Sequence, residues 1–249
     1  MESKNSMNVF LNDKGEGMNK KKIIVISGVS GVGKSEVINK IIKMNSNIVQ
    51  ARSDTTRNSR NDGKDHYRFV TKEEFIANLE SGTKYLEHNF YGGNYYAINR
   101  EELHRICDSG KIVLIDCNTS GMQHLLEDEE FKNCILSFYL TVTPQKEYER
   151  LQKRNTEDQE MILMRMQEGV RDLVNASTGI YDYVIENREG EIDLVSSQII
   201  ELIEKQPKKS TTHDKALLIQ RSLDQLLFCE KLENQLKNSE EMHKSTFIF

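Results

Sequence analysis

Eight residues, Gly28-Val-Ser-Gly-Val-Gly33-Lys34-Ser35, carry the strongest chemical signal in the chain, because G-x-x-x-x-G-K-S is the spacing of a loop that wraps phosphate groups. Glycines at 28, 31 and 33 permit tight turns, so successive N–H groups and a helix N-terminus can converge on anionic oxygens. Lys34 would reach the β and γ phosphates of a nucleoside triphosphate, and the Ser35 hydroxyl would ligate magnesium. The loop reading takes in Gly28, Ser30, Gly31, Val32, Gly33, Lys34, Ser35 and Glu36. By itself the spacing does not separate ATP from GTP, nor one reaction from another.

A second cluster, Ser53-Asp-Thr-Thr56-Arg57-Asn-Ser-Arg60, places two arginines three residues apart. Planar guanidinium groups bind phosphate oxygens in pairs and fix their orientation, so Arg57 and Arg60 are candidates for a phosphate clamp.

These residues need a scaffold that holds them at the ends of strands. The run IIVISG over 23–28 is short, apolar and β-branched, the pattern of a strand buried on both faces. SEVINKIIKM follows, with Val37, Ile38, Ile41 and Ile42 at helical spacing. Further apolar runs at 48–51, 111–116, 135–140 and 183–186 alternate with helix-like segments, which predicts an α/β fold with a central parallel sheet. Residues 53–98 are aromatic and glycine-bearing and read as an inserted lobe. Residues 145–176 are charged and helix-prone and read as a helical lid. Ile192, Val195, Ile199 and Leu202 mark a last core helix, and QPKKSTTHD breaks it. Residues 214–236 form a further amphipathic helix, with Ile219, Leu223, Leu226 and Cys229 near one face. Residues 1–20 are polar and aperiodic, a disordered leader; the remainder divides into a core at 21–207 and a helical extension at 208–249.

Downstream of the arginines stand Gly63-Lys-Asp-His-Tyr67-Arg-Phe69-Val, then Tyr85-Leu-Glu87, then Gly93-Asn-Tyr-Tyr96. With the phosphate loop, this order resembles the guanylate kinase family, in which a serine before T-T-R-x-x-R leads to D-Y-x-F-V, F-x-E, G-N-Y-Y-G and an L-D-x-D strand. The likeness runs from about Ile23 to Leu202. It implies a three-layer P-loop NTPase fold with an inserted β-rich acceptor lobe, and transfer of the terminal phosphate of ATP, with Mg2+, to GMP or dGMP. Arg57, Arg60, Tyr67 and Tyr96 would then hold the acceptor phosphate, with Ser53 and Glu87 on guanine. One carboxylate can accept from the adjacent N1–H and 2-amino groups of guanine, a pair that adenine lacks. Asp116 would position magnesium and the acceptor, and Asn118, two residues on, would contact the acceptor. Arg154 and Arg165 would be lid arginines that join Lys34 and Arg60 in neutralising the transferring phosphoryl group. Asn187 and Arg188 would lie beside the ATP base.

The chain departs from this pattern at Ser59 for proline, Ala97 for glycine, Ile98 for serine or threonine, Asn118 for the second aspartate, and Arg188 for aspartate. Isoleucine cannot replace a hydroxyl hydrogen bond, so acceptor preference is open to a shift towards deoxy or modified nucleotides. A scaffold module of the same fold without turnover is the alternative. Such modules typically lose the phosphate loop, whereas Gly33, Lys34 and Ser35 are intact here.

Composition excludes other classes. Thirty-four Lys and Arg against 39 Asp and Glu give a net charge of -5 over 249 residues, which argues against a broad nucleic-acid grip. The four cysteines show no C-x-x-C spacing, and the six histidines no metal-binding spacing. No run approaches the ~20 apolar residues of a membrane span. The sequence therefore reads as a cytoplasmic protein, with the C-terminal helix a candidate for self-association.

Overall fold

The computed structural model describes residues 23–59, 67–82, 84–91, 93–154, 158–205 and 211–246. The leader expected over 1–20 and the clamp arginine Arg60 lie outside them.

Strand β1 (Ile23–Gly28) is buried at every position, and α1 (Lys34–Met44) turns Val37, Ile38 and Ile41 inward at helical spacing. Then follow β2 (Ile48–Gln50), β3 (Ser53–Thr55), β4 (Tyr67–Phe69), α2 (Lys72–Glu80), β5 (Tyr85–Tyr91), β6 (Asn94–Asn99), α3 (Arg100–Asp108), β7 (Ile112–Asp116) and α4 (Thr119–Glu127). After a short 3-10 turn come β8 (Ile135–Thr141), α5 (Pro144–Arg154), α6 (Gln159–Ser177), β9 (Tyr183–Glu186), α7 (Ile192–Lys205) and α8 (Thr211–Thr246). The five strands expected from apolar runs form one parallel sheet in the order β2-β7-β1-β8-β9. Its central strands β1 and β8 have no exposed residue, which is why they read as continuous apolar runs rather than alternating ones.

The segment after Ser53 builds a second sheet, ordered β4-β3-β6-β5. One face packs on α2 through Phe75, fully buried, whose ring lies 4.7 Å from Tyr85 and 5.1 Å from Tyr95. The buried Asp54 accepts from the Arg68 guanidinium and from the Tyr85 hydroxyl. The other face turns to the cleft. At Leu86 the ladder is irregular, so Tyr85 opposes Asn99 but Glu87 opposes Ile98. That slip puts Glu87, rather than its neighbour, on the same side as Ile98.

Helices α5 and α6 occupy the region read as a lid, and α8 packs along α6. The 36-residue α8 is longer than the helix expected over 214–236, and of the four residues read near one face only Cys229 is buried. Leu218, Ser222, Gln225, Cys229 and Leu232 are buried, while Ile219, Leu223 and Leu226 are about half exposed. Apolar residues surround much of this helix, so periodicity alone could not say which side meets the core. Gln225 donates to the Met166 backbone carbonyl at 2.8 Å, filling space left by Gly169: a Cβ there would sit 2.5 Å from the Gln225 amide nitrogen. Arg221 pairs with Glu186 at the end of β9.

Candidate functional site

The phosphate loop lies between β1 and α1. Gly33 caps α1 with φ of 95°, a left-handed conformation that strains any residue with a Cβ. A Cβ there would also meet the Asn187 side-chain nitrogen at 2.7 Å. Lys34 bends back over the loop, its ammonium donating to the carbonyls of Gly28 at 2.7 Å and Val29 at 3.3 Å. Arg165, reaching from α6, donates to the Ser30 hydroxyl at 3.2 Å. The loop is braced from beneath: Asn187 and Arg150 both donate to the Val32 carbonyl, at 2.6 and 2.9 Å.

Register explains the opposite wall. Ser53 stands across from Tyr67 on one side and Ile98 on the other, and Ile98 faces Glu87, so four strands present one row: Tyr67, Ser53, Ile98, Glu87. The next row on that face is Phe69, Thr55, Tyr96 and Asn89. The Tyr67 and Tyr96 rings meet edge-on at 5.8 Å, and the Arg57 guanidinium lies over the Tyr67 ring at 5.3 Å. Between wall and loop runs a cleft of about 370 Å³.

Gly28, Ser30, Lys34, Ser53, Tyr67, Glu87, Tyr96, Asp116, Asn118 and Arg165 all line this cleft, although they come from distant parts of the chain. Gly31, Val32, Ser35 and Glu36 belong to the loop and the first turn of α1 behind its wall. Asn187 is buried beneath the loop, and Arg188 is exposed on a pairing with Glu186. Arg154 ends α5 and is exposed.

Burial dominates the electrostatics. Glu87 is 8% exposed, one carboxylate oxygen has no hydrogen-bond partner among the described residues, and desolvation pushes its pKa up to about 7. The Asp116 carboxyl, at the carboxyl end of β7 beside Ile26, is also raised by burial, against the pull of Lys34. Asp172 on α6 is raised by burial while the Thr119 hydroxyl, donating at 2.6 Å, works the other way. Asn118 caps α4: the Gly121 N–H donates to its Oδ1 at 2.9 Å. A backbone N–H can only donate, so the side-chain oxygen is committed to the helix and the amide N–H groups remain for the cleft. An aspartate there would offer acceptors instead.

Asn89, Cys117, Glu168, Gly169 and Asp172 also line the cleft and were not among the sequence candidates. Spacing could have found several of them. Glu168, Gly169 and Asp172 follow Arg165 by three, four and seven residues, one helix face, and Asn89 follows Glu87 by two, one strand face. Among the described residues no three His, Cys, Asp or Glu side chains are grouped to hold a metal by themselves. Ser35 and Asp116 carry the hydroxyl and carboxylate oxygens suited to a hard cation that takes most of its ligands from phosphate and water.

A family model described as guanylate kinase matches residues 20–206. A guanylate kinase of Onion yellows phytoplasma is 36% identical over 179 residues, 69% of this chain and 81% of the relative. One of Wolinella succinogenes is 33% identical over 171 residues, 67% of this chain and 77% of the relative. The crystal structure of guanylate kinase from Anaplasma phagocytophilum aligns with a TM-score of 0.57 at 26% identity, covering 78% of this chain and 90% of that one.

Proposed function

The chain belongs to the guanylate kinase family, and we propose that it transfers the γ-phosphoryl group of ATP to GMP or dGMP, giving ADP and the nucleoside diphosphate. The observation that carries this reading is one cleft with a phosphate loop on one side and the Tyr67, Ser53, Ile98, Glu87 row on the other. Donor and acceptor thus meet end to end, and the reaction needs positioning and charge neutralisation more than a covalent intermediate.

The loop N–H groups cradle the donor phosphates, and Lys34 exchanges its carbonyl partners for their β and γ oxygens. Arg165 approaches from α6 over Ser30, where it neutralises charge spreading onto the transferring group; Arg154, at the end of α5, adds to this, and Arg60 has the same role in the family resemblance. Tyr67, Tyr96, Arg57 and Arg60 hold the acceptor phosphate in line. Ser53 and ionised Glu87 take the guanine edge. Ser35 and Asp116 would hold Mg2+, which when bound supplies further charge neutralisation at the phosphates. Asn187 and Arg188 border the adenine side, with Asn187 acting through the loop it braces.

Ile98 sits where a hydroxyl would help hold guanine, and Asn118 offers donors where an aspartate would accept. Guanine selectivity is accordingly weaker than full polar complementarity would give. Residues 21–207 form the catalytic unit, with an acceptor lobe at 53–98 and a lid at 145–176. Residues 208–249 serve association rather than chemistry. The cysteine spacing, without C-x-x-C pairs, is in keeping with a reducing, cytoplasmic setting. Among the described residues no helix is long and apolar enough to cross a membrane.

A coupled ADP-release assay across GMP, dGMP, AMP, UMP and TMP tests the reading. Turnover is expected with GMP and dGMP above the others; ATP binding without turnover on any of them would overturn it.

A further inference from the structure

Helix α8 is apolar on two sides. One side is buried: Gln225, Cys229 and Leu232 lie on the lid helices, and Leu218 joins the main core. Roughly a third of a turn further round, at 100° per residue, lies a second stripe. Here Ile219, Leu223, Leu226 and Leu227 are 51%, 52%, 45% and 55% exposed. Their steps of four and three residues form the seam pattern of paired helices. A helix that is apolar on both sides is suited to being covered on both.

The residues around the stripe say what covers it. Lys215 precedes it and Glu230 follows it, both exposed and within about 60° of its centre line. We propose that this stripe pairs with the same stripe of a second copy of the chain, the two α8 helices running antiparallel about a two-fold axis near Leu223. In that arrangement Ile219 of each copy meets Leu226 and Leu227 of the other, and Lys215 of each comes beside Glu230 of the other. A parallel pairing would set lysine against lysine and glutamate against glutamate. The surface is therefore self-complementary in both apolar and charged positions, as an isologous interface requires.

The stripe faces well away from Gln225, the residue by which α8 contacts Gly169 on the cleft wall. Association thus leaves the cleft open, and this inference stands independently of the catalytic reading.

Sedimentation velocity on the full chain, from low to high micromolar concentration, tests it. A reversible monomer–dimer equilibrium is expected. Leu223→Glu should give monomers with an unchanged melting profile, since the side chain is half exposed. Lys215→Glu should weaken the dimer by roughly tenfold, and adding Glu230→Lys should restore it. Leu223→Cys, mildly oxidised, should run as a covalent dimer on a non-reducing gel. A wild-type chain that stays monomeric throughout, or a dimer that survives Leu223→Glu, would overturn the proposal, as would Leu223→Cys failing to cross-link.

Discussion

Replacing Glu87 by glutamine tests the electrostatics of the acceptor wall. Burial lifts this carboxyl from its ordinary 4.5 to about 7. Between those values the folded protein keeps a proton that the unfolded chain has released. The group's contribution to stability is therefore full below pH 4.5 and lost as pH rises through 7, a cost of roughly 3 kcal/mol once ionised. Glutamine has nearly the same shape and never ionises. Without nucleotides, Glu87→Gln should match the wild type near pH 5 and be more stable at pH 8, by on the order of 5–10 °C in melting temperature. Asp116, Glu147 and Asp172 are also raised by burial, but they titrate in both proteins, so the difference between the melting curves reports on Glu87. Activity should move the opposite way. Since ionised Glu87 accepts from guanine, wild-type kcat/KM for GMP should rise with pH and level off above about 7. The variant should be flat and roughly ten- to hundredfold lower, the worth of hydrogen bonds to a charged group. Parallel pH dependences in the two proteins, for melting or for kcat/KM, would refute the reasoning.

Two further substitutions follow from close contacts and register. Gly169→Ala should cost about 1–3 kcal/mol, read by urea unfolding, because its Cβ would press on the Gln225 amide nitrogen. Gln225→Ala in the same background should recover part of that loss, and strictly additive effects would contradict the interlock. Ile98→Ser combined with Asn118→Asp should raise the GMP-to-AMP ratio of kcat/KM by roughly tenfold or more, since it restores a hydroxyl between Ser53 and Glu87 and an acceptor at the α4 cap. An unchanged acceptor profile would contradict the account of both positions.

Local features were the ones legible in the sequence. The phosphate loop, its flanking strand and helix, and the five parallel strands each announce themselves within a dozen residues, through glycine spacing or continuous apolar runs. Ser53 and Glu87 were readable only as members of a resemblance. What places Ser53 opposite Ile98 is strand pairing across more than forty residues, and what places Glu87 there is the irregularity at Leu86 in the β5–β6 ladder. Asn118 shows the limit of residue type alone: its oxygen is taken by the α4 cap, which no motif reveals. Asp172 went unnoticed because nothing marks one carboxylate in a charged helix until Arg165 is seen to set the face. For α8 the side facing the core was not legible because its two apolar stripes compete, and Gly169 with Gln225 decides between them.

The central claim is that the loop and the facing wall act as donor and acceptor sites of one reaction. Phosphorus NMR of ATP and GMP incubated with the full chain and magnesium tests this most directly. The account predicts ADP and GDP appearing together with no free phosphate, little ATP loss when GMP is omitted, and no transfer by Lys34→Ala. ATP breakdown to free phosphate regardless of GMP, or GDP formation undiminished in Lys34→Ala, would contradict it.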